Sequence, residues 1–314
     1  MSESEYPPMA RSSPRVMADA ATRPQAAART GSARVPGTCG ELVQGQLRGG
    51  VDFLITLPVD LWSEVRVRLD ESGRVAVNPP HKVKTQIAVR RALDALGLPG
   101  AGARVAVASA LPEGKGMASS TADVVAACRA AARAAGRTLT AGAISRIARG
   151  IEPSDGVMYP GAVAYNHRRC ELIELFGPPP AFRILIADPG GTVDTLAFNR
   201  RPKDYTPGEM SMIARAYEWA AAGIRRGDRA LIGRAATLSA RVNQRILPNP
   251  YLDDLIAIAE AHGAYGVNVA HSGTVAGLLF DPGAGEAAAR AAEAVRQAIG
   301  PEAGLITTAT VEAW

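Results

Sequence analysis

Cysteine is scarce in this chain. Only Cys39, Cys128 and Cys170 occur among 314 residues, far apart and odd in number. That excludes a disulfide framework and any C-x-x-C redox or zinc pair. The four histidines complete no metal-ligand spacing. Aromatic residues make up 5%, and no run of Lys or Arg is interleaved with them. The net charge of +5, from 35 Lys+Arg against 30 Asp+Glu, therefore does not describe a nucleic-acid surface. A small anionic ligand uses a few basic residues equally well. No stretch of 18 apolar residues is present, so no helix is expected to span a membrane. The first residues lack the apolar core of a signal peptide. The expectation is a cytoplasmic protein with neither nucleic acid nor membrane as partner.

What is present suits a globular enzyme of one large or two moderate domains, 47% hydrophobic and 21% charged. Residues 1–31 are rich in Ser, Pro, Ala and Arg, and are expected to form a disordered tail. Structure is expected from about Ala33. "VDFLITLPVD" and "SEVRVRL" read as two strands, the second by strict alternation of Val65, Val67 and Leu69. "VKTQIAVRRALDALG" reads as a helix ending at Gly97, and "ARVAVASA" as a strand. "TAGAISRIARG" reads as a short helix, and "GAVAYN" with "ELIELF" as a hairpin. "GPPPAF" is the clearest punctuation. It predicts an N-terminal domain over 32–180 and a C-terminal domain over 181–314. The second half reads as a strand "RILIAD", two long helical stretches between Gly208 and Arg245, and a helix from Tyr251 to His262. Strands at Gly266–Val269 and Thr274–Phe280, a helix at Gly285–Ile299 and a strand at Leu305–Val311 complete an α+β chain.

Three glycine-containing stretches carry the chemistry. In "LPEGKGMASSTAD", Gly114 and Gly116 permit a sharp turn and close approach to a ligand, and Lys115 adds charge. Ser119, Ser120 and Thr121 place hydroxyls where a helix exposes unpaired N–H groups and the positive end of its dipole. The spacing matches neither G-x-x-x-x-G-K-[ST] nor G-x-G-x-x-G. The plainer alternative is a strand–turn–helix connection with a Ser N-cap. The other two stretches are "PGTCGELVQG" at Pro36–Gly45 and the turn Ser272-Gly273-Thr274 in "GVNVAHSGTVAGLLF".

In this order, the three stretches resemble the motifs of the GHMP kinases. Pro112, Glu113-Gly114-Lys115 and Gly116-Met117-Ala118-Ser119-Ser120-Thr121 follow the family's second motif, with Met117, Ala118 and Thr121 departing from its commonest residues. Pro36-Gly37, a turn, and Gly40-Glu41 follow the first motif; Ser272-Gly273 follows the third more loosely. "PGTCGELVQG", "PEGKGMASSTAD" and "EPSDGVMYPG" are most similar to the L-threonine kinases of cobalamin biosynthesis.

The resemblance implies a two-lobed fold, with an N-terminal lobe like ribosomal protein S5 and a ferredoxin-like C-terminal lobe. It implies ATP and Mg²⁺, with L-threonine as acceptor. Pro112, Glu113, Gly114, Lys115, Gly116, Met117, Ala118, Ser119 and Ser120 would hold ATP, with Ser120 also on the metal. Asp155 would orient or deprotonate the acceptor hydroxyl; the alternative is an Asp-Gly turn with Gly156. No acid stands about three turns before Asp155, so Glu152 is the second metal candidate and Asp123 the third. Thr38, Cys39 and Glu41 are the acceptor-binding candidates, Glu41 being able to bind an amino group. Arg241, Asn243 and Arg245 are weighed against a solvated helix face for the substrate carboxylate, and His271 against a turn residue. Other outcomes are a kinase for a different small alcohol, such as homoserine, or a non-catalytic ligand sensor.

Overall fold

Alternation along residues 63–68 sends Val65 and Val67 fully inward and leaves Glu64, Arg66 and Arg68 exposed. The computed structural model describes residues 29–193 and 203–314. Most of the expected N-terminal tail lies outside them. Within the described residues the order is β1 (Thr30–Leu47), β2 (Val51–Asp70), β3 (Val75–Asn78), α1 (Val83–Ala95), β4 (Gly102–Ser109), α2 (Ser119–Ala134), α3 (Ala141–Arg149), β5 (Ala162–Asn166) and β6 (Glu171–Gly177). There follow β7 (Arg183–Asp188), α4 (Pro207–Arg226), α5 (Arg229–Asn243), α6 (Leu252–Ala261), β8 (Gly266–Val269), β9 (Ala276–Phe280), α7 (Gly285–Ile299) and β10 (Gly304–Ala309).

Three local expectations are corrected. The two strands read separately on either side of Leu61-Trp62 are one strand, β2, because irregularities in its pairing with β1 absorb the interruption between Trp62 and Val59. The first motif does not open on a turn: Pro36-Gly37 lies inside β1, where the same shifts in register bend the strand. β1 begins at Thr30, ahead of the expected Ala33. The four-residue β3 had no separate signal in the sequence.

The strands form a ten-stranded sheet in the order β10-β7-β9-β8-β1-β2-β4-β3, with β5 and β6 branching from β2. Among the described residues, only β3 and β4 pair in parallel. β1 is the hinge line of the layout. It pairs with β2 along most of its length and meets β8 at Glu41 and Val269. The alanine-rich α2 packs under β1 and β2, burying Val124, Val125, Cys128 and most of its alanines. The approach is close enough that a Cβ at Gly31 would stand 2.3 Å from the Ala130 carbonyl oxygen. This pins the C-terminal half of α2 against the start of β1.

Candidate active site

The loop between β4 and α2 turns through positive φ at Gly114, Gly116 and Ala118, the last at 56°. Ala118 is the N-cap of α2, and no side chain caps the helix. The Ser N-cap reading is thus replaced. Ser119 already lies in the helix and donates from Oγ to the Leu111 carbonyl at 3.2 Å. With no side-chain cap, and with Ala118 to Thr121 lining the adjoining cleft, the start of α2 meets the condition for an anion site.

The three glycine stretches meet at this loop through backbone. The Thr38 N–H donates to the Met117 carbonyl at 3.1 Å, and the Thr274 N–H to the Lys115 carbonyl at 3.2 Å. A Cβ on Gly37 would lie 2.6 Å from the Met117 oxygen, and one on Gly273 would lie 2.1 Å from the Lys115 oxygen. The missing side chains let the segments touch.

Around the loop lies a cleft of about 420 Å³. Of the residues expected on ATP, Pro112, Glu113, Gly114, Gly116, Met117, Ala118, Ser119 and Ser120 line it. So do Glu41, Asp123, Glu152, Asp155 and His271. Lys115 does not. Its Nζ pairs with Asp188 at 2.8 Å and donates to the Gly191 carbonyl at 2.6 Å. Thr38 and Cys39 are fully buried in β1 and do not line the cleft. Burial pushes the Cys39 thiol up to about 12, with Asn268 opposing and the Glu41 charge adding to the rise, so Cys39 is a packed residue. Arg241 and Arg245 face out in ion pairs with Asp253 and Glu209. Asn243 is buried and bonded to Gln44, Ser239 and Tyr205. These three support the helix rather than line the cleft. His271 is held between Gln44 and Lys203.

Acids gather at one wall. The Ser120 hydroxyl donates to one oxygen of Glu152, and the Lys84 ammonium holds the other. The Asp155 N–H donates to Thr121 Oγ1 at 3.4 Å. Burial, then the charge of Glu152, raises Asp155 to about 7. Asp155 keeps some exposure to the cleft, but the protein around it removes most of its water. Glu41 is raised well above the usual carboxylate range by burial and by Asp155. Asp123 is bound by Ser63 and by Lys82, which also pairs with Glu113 of the loop at 2.6 Å.

Lys82 and Lys84 went unseen in the sequence. Both sit at the start of α1, where a cation opposes the helix dipole. "HKVK" at a helix entrance was the available signal. As to Mg²⁺, Ser120 and Glu152 present adjoining hard oxygens. No group of three or more His, Cys, Asp or Glu able to hold a metal exists among the described residues. Mg²⁺ needs only one or two protein oxygens when phosphates complete its shell, so this donor set fits.

An uncapped helix start wrapped by three glycine segments, with acids across the cleft, describes a phosphotransferase. Residues 82–163 match the family described as "GHMP kinases N terminal domain", and residues 220–297 match "GHMP kinases C terminal". The chain belongs to the GHMP kinase family and is an ATP-dependent kinase acting on a hydroxyl. It is 31% identical over 256 residues to an L-threonine kinase of Salmonella typhimurium, covering 79% of this chain and 82% of that protein. It is 32% identical over 253 residues to an L-threonine kinase of Citrobacter freundii, covering 79% and 86%. Its fold resembles homoserine kinase from Cytophaga hutchinsonii (TM-score 0.73, 19% identity, 93% of this chain and 98% of that one). It also resembles Methanococcus jannaschii mevalonate kinase (TM-score 0.69, 13% identity, 89% and 98%). Among the described residues, no helix is long and apolar enough to cross a membrane.

Proposed function

We propose that this kinase transfers the γ-phosphoryl group of ATP, with Mg²⁺, to the hydroxyl of L-threonine. The product, O-phospho-L-threonine, would serve the nucleotide-loop linker of cobalamin in the cytoplasm. One observation carries the choice of acceptor: the two relatives sharing about a third of their residues over 79% of the chain are L-threonine kinases. The homoserine kinase likeness, at 19% identity, bears on the fold alone.

Phosphoryl transfer requires positioning and charge neutralisation more than covalent chemistry. The open N–H groups of α2 and the loop from Pro112 to Ser120 would hold the phosphates. Ser120 and Glu152 are the residues that would hold Mg²⁺, which when bound offsets the charge of the phosphate oxygens. Asp155 would accept the threonine hydroxyl proton on its carboxylate oxygen as the O–P bond forms. Lys82 ties Glu113 to Asp123 and so steadies the loop. Lys115, paired with Asp188, anchors the loop to β7 instead of binding phosphate. We also place the lobe boundary at 180/181, where the polyproline punctuation leads into β7.

Phosphorus NMR with Mg-ATP and L-threonine, L-serine or L-homoserine tests the acceptor. Threonine should be fastest and serine a poor substrate, since one methyl group discriminates by only about 1–3 kcal/mol. Faster phosphorylation of homoserine would replace threonine with the competing acceptor.

A further inference from the structure

The cleft is short of cations. Among the described residues that line it are five acids, Glu41, Glu113, Asp123, Glu152 and Asp155, against two lysines, Lys82 and Lys84, and no arginine. A polyphosphate seated beside that many carboxylates needs positive charge from the protein. Lys115 of the glycine loop does not supply it, because Asp188 holds it at 2.8 Å. Lys82 is locked between Glu113 and Asp123, 2.6 Å from each, with its side chain 12% exposed. Lys84 is the exception. Its side chain is 42% exposed, and among the described residues its ion-pair partner is Glu152. Its position also fits. The Lys84 ammonium meets one oxygen of Glu152, and the other oxygen accepts from Ser120 in the first turn of α2. A single carboxylate therefore separates the ammonium from that helix start. Lys84 lies in the first turn of α1, where a cation opposes the helix dipole, so helix stability does not account for it.

Resting on the reading that seats the phosphates at the start of α2 and the metal on Ser120 and Glu152, we propose that Lys84 is a phosphate-binding residue of the ATP site. It leaves Glu152 for the β- or γ-phosphate when Mg-ATP binds. In the free protein, Lys84 balances the charge of Glu152, whose side chain is 4% exposed. Leaving that buried carboxylate unpaired would be costly. Once Glu152 serves the metal, its charge is balanced again and the ammonium is released. The flexible four-carbon stem of lysine lets the ammonium swing while the backbone of α1 stays in place. Its three N–H groups then donate to phosphate oxygens in charge-assisted hydrogen bonds. Lys84 thus supplies, from α1, the cation that the glycine loop commits to Asp188.

The test measures Kd for Mg-ATP and for adenosine, which lacks phosphate, by isothermal titration calorimetry. Wild type, Lys84→Met and Lys84→Arg are compared, with KM for ATP and for the acceptor determined alongside. Lys84→Met keeps the length of the stem and removes the charge. It should weaken Mg-ATP by roughly 10-fold, the low end for a hydrogen bond to a charged group because the side chain is partly exposed. Adenosine affinity and the KM for the acceptor should stay as in wild type, and Lys84→Arg should restore most of the loss. Unchanged Mg-ATP affinity in Lys84→Met overturns the proposal, as does an equal loss for Mg-ATP and adenosine; either result leaves Lys84 as a partner of Glu152 alone. If Lys84→Met folds poorly, amine-reactive labelling of the wild-type protein, read by mass spectrometry, decides the matter. Mg-ATP should shield Lys84 and adenosine should not, and equal labelling under both overturns the proposal. Wild-type protein that binds Mg-ATP no more tightly than adenosine overturns the phosphate seat at α2 as well.

Discussion

Asp155 shows how one residue's surroundings set both chemistry and stability. Burial and the Glu152 charge raise it from 3.8 to about 7. A base with that value predicts that kcat/KM of the free enzyme climbs as pH rises through about 7 and then levels. The folded protein also holds this proton more tightly than the unfolded chain. Between those two values the unfolded state binds fewer protons, so this group's contribution to stability declines as pH rises. Asp155→Asn should therefore raise the melting temperature at pH above 7 and do little at about pH 4. The same change should lower kcat by roughly 10²–10⁴-fold. Melting curves at the two pH values, set beside turnover, check both signs; a variant with native kcat would return Asp155 to an Asp-Gly turn. Ser120→Ala separates roles in another way. Losing the hydrogen bond to Glu152 should cost about 1 kcal/mol of stability. Turnover at saturating Mg-ATP should fall far more, and intact turnover would remove Ser120 from the metal.

At the scale of elements, the glycine turns work by contact between backbones. Gly273→Ala would drive a Cβ to 2.1 Å from the Lys115 carbonyl oxygen, a main-chain atom with little room to move. It should cost roughly 1–3 kcal/mol and raise the KM for ATP by displacing the phosphate loop. Native values of both would show that the two segments do not meet as described. Ala118 presents the opposite case, since its φ of 56° burdens a side chain that glycine would not carry. Left-handed backbone costs a non-glycine residue roughly 1–2 kcal/mol, and glycine gives back about 0.5–1 kcal/mol in chain entropy. Ala118→Gly should thus stabilise the protein by about 0.5–1 kcal/mol, measured by urea unfolding. A loss of stability would mean that the methyl group's packing outweighs the backbone relief.

Across the whole molecule, the halves on either side of the proline-rich segment share one sheet. β1 pairs with β2 on one flank and touches β8 on the other. The C-terminus returns to the first half: Val311 N–H donates to the Pro58 carbonyl at 3.1 Å, and Trp314 Nε1 to the Val157 carbonyl at 3.0 Å. Such sharing predicts that the halves unfold together. Tryptophan fluorescence and far-UV circular dichroism should give coincident urea transitions. Two separated transitions would show that the lobes are energetically independent despite the continuous sheet.

Much of this protein is legible one residue after another. The helix at Gly285–Ile299 and the strand at Gly266–Val269 have the bounds read from periodicity, because local spacing decides which face of an element is apolar. The glycine loop before α2 is likewise local, since glycine freedom and a helix start are properties of adjacent residues. Other features depend on partners far along the chain. The motif around Lys115 does not reveal its ion pair with Asp188, 73 positions later. Thr38 and Cys39 share a motif with Glu41, yet bulges in β1 leave only Glu41 lining the cleft. Lys84 and Glu152 stand 68 positions apart. Charge, burial and hydrogen-bond satisfaction depend on distance in space. Only the folded sheet sets those distances, and so only the tertiary structure decided which polar residues serve the cleft and which hold it together.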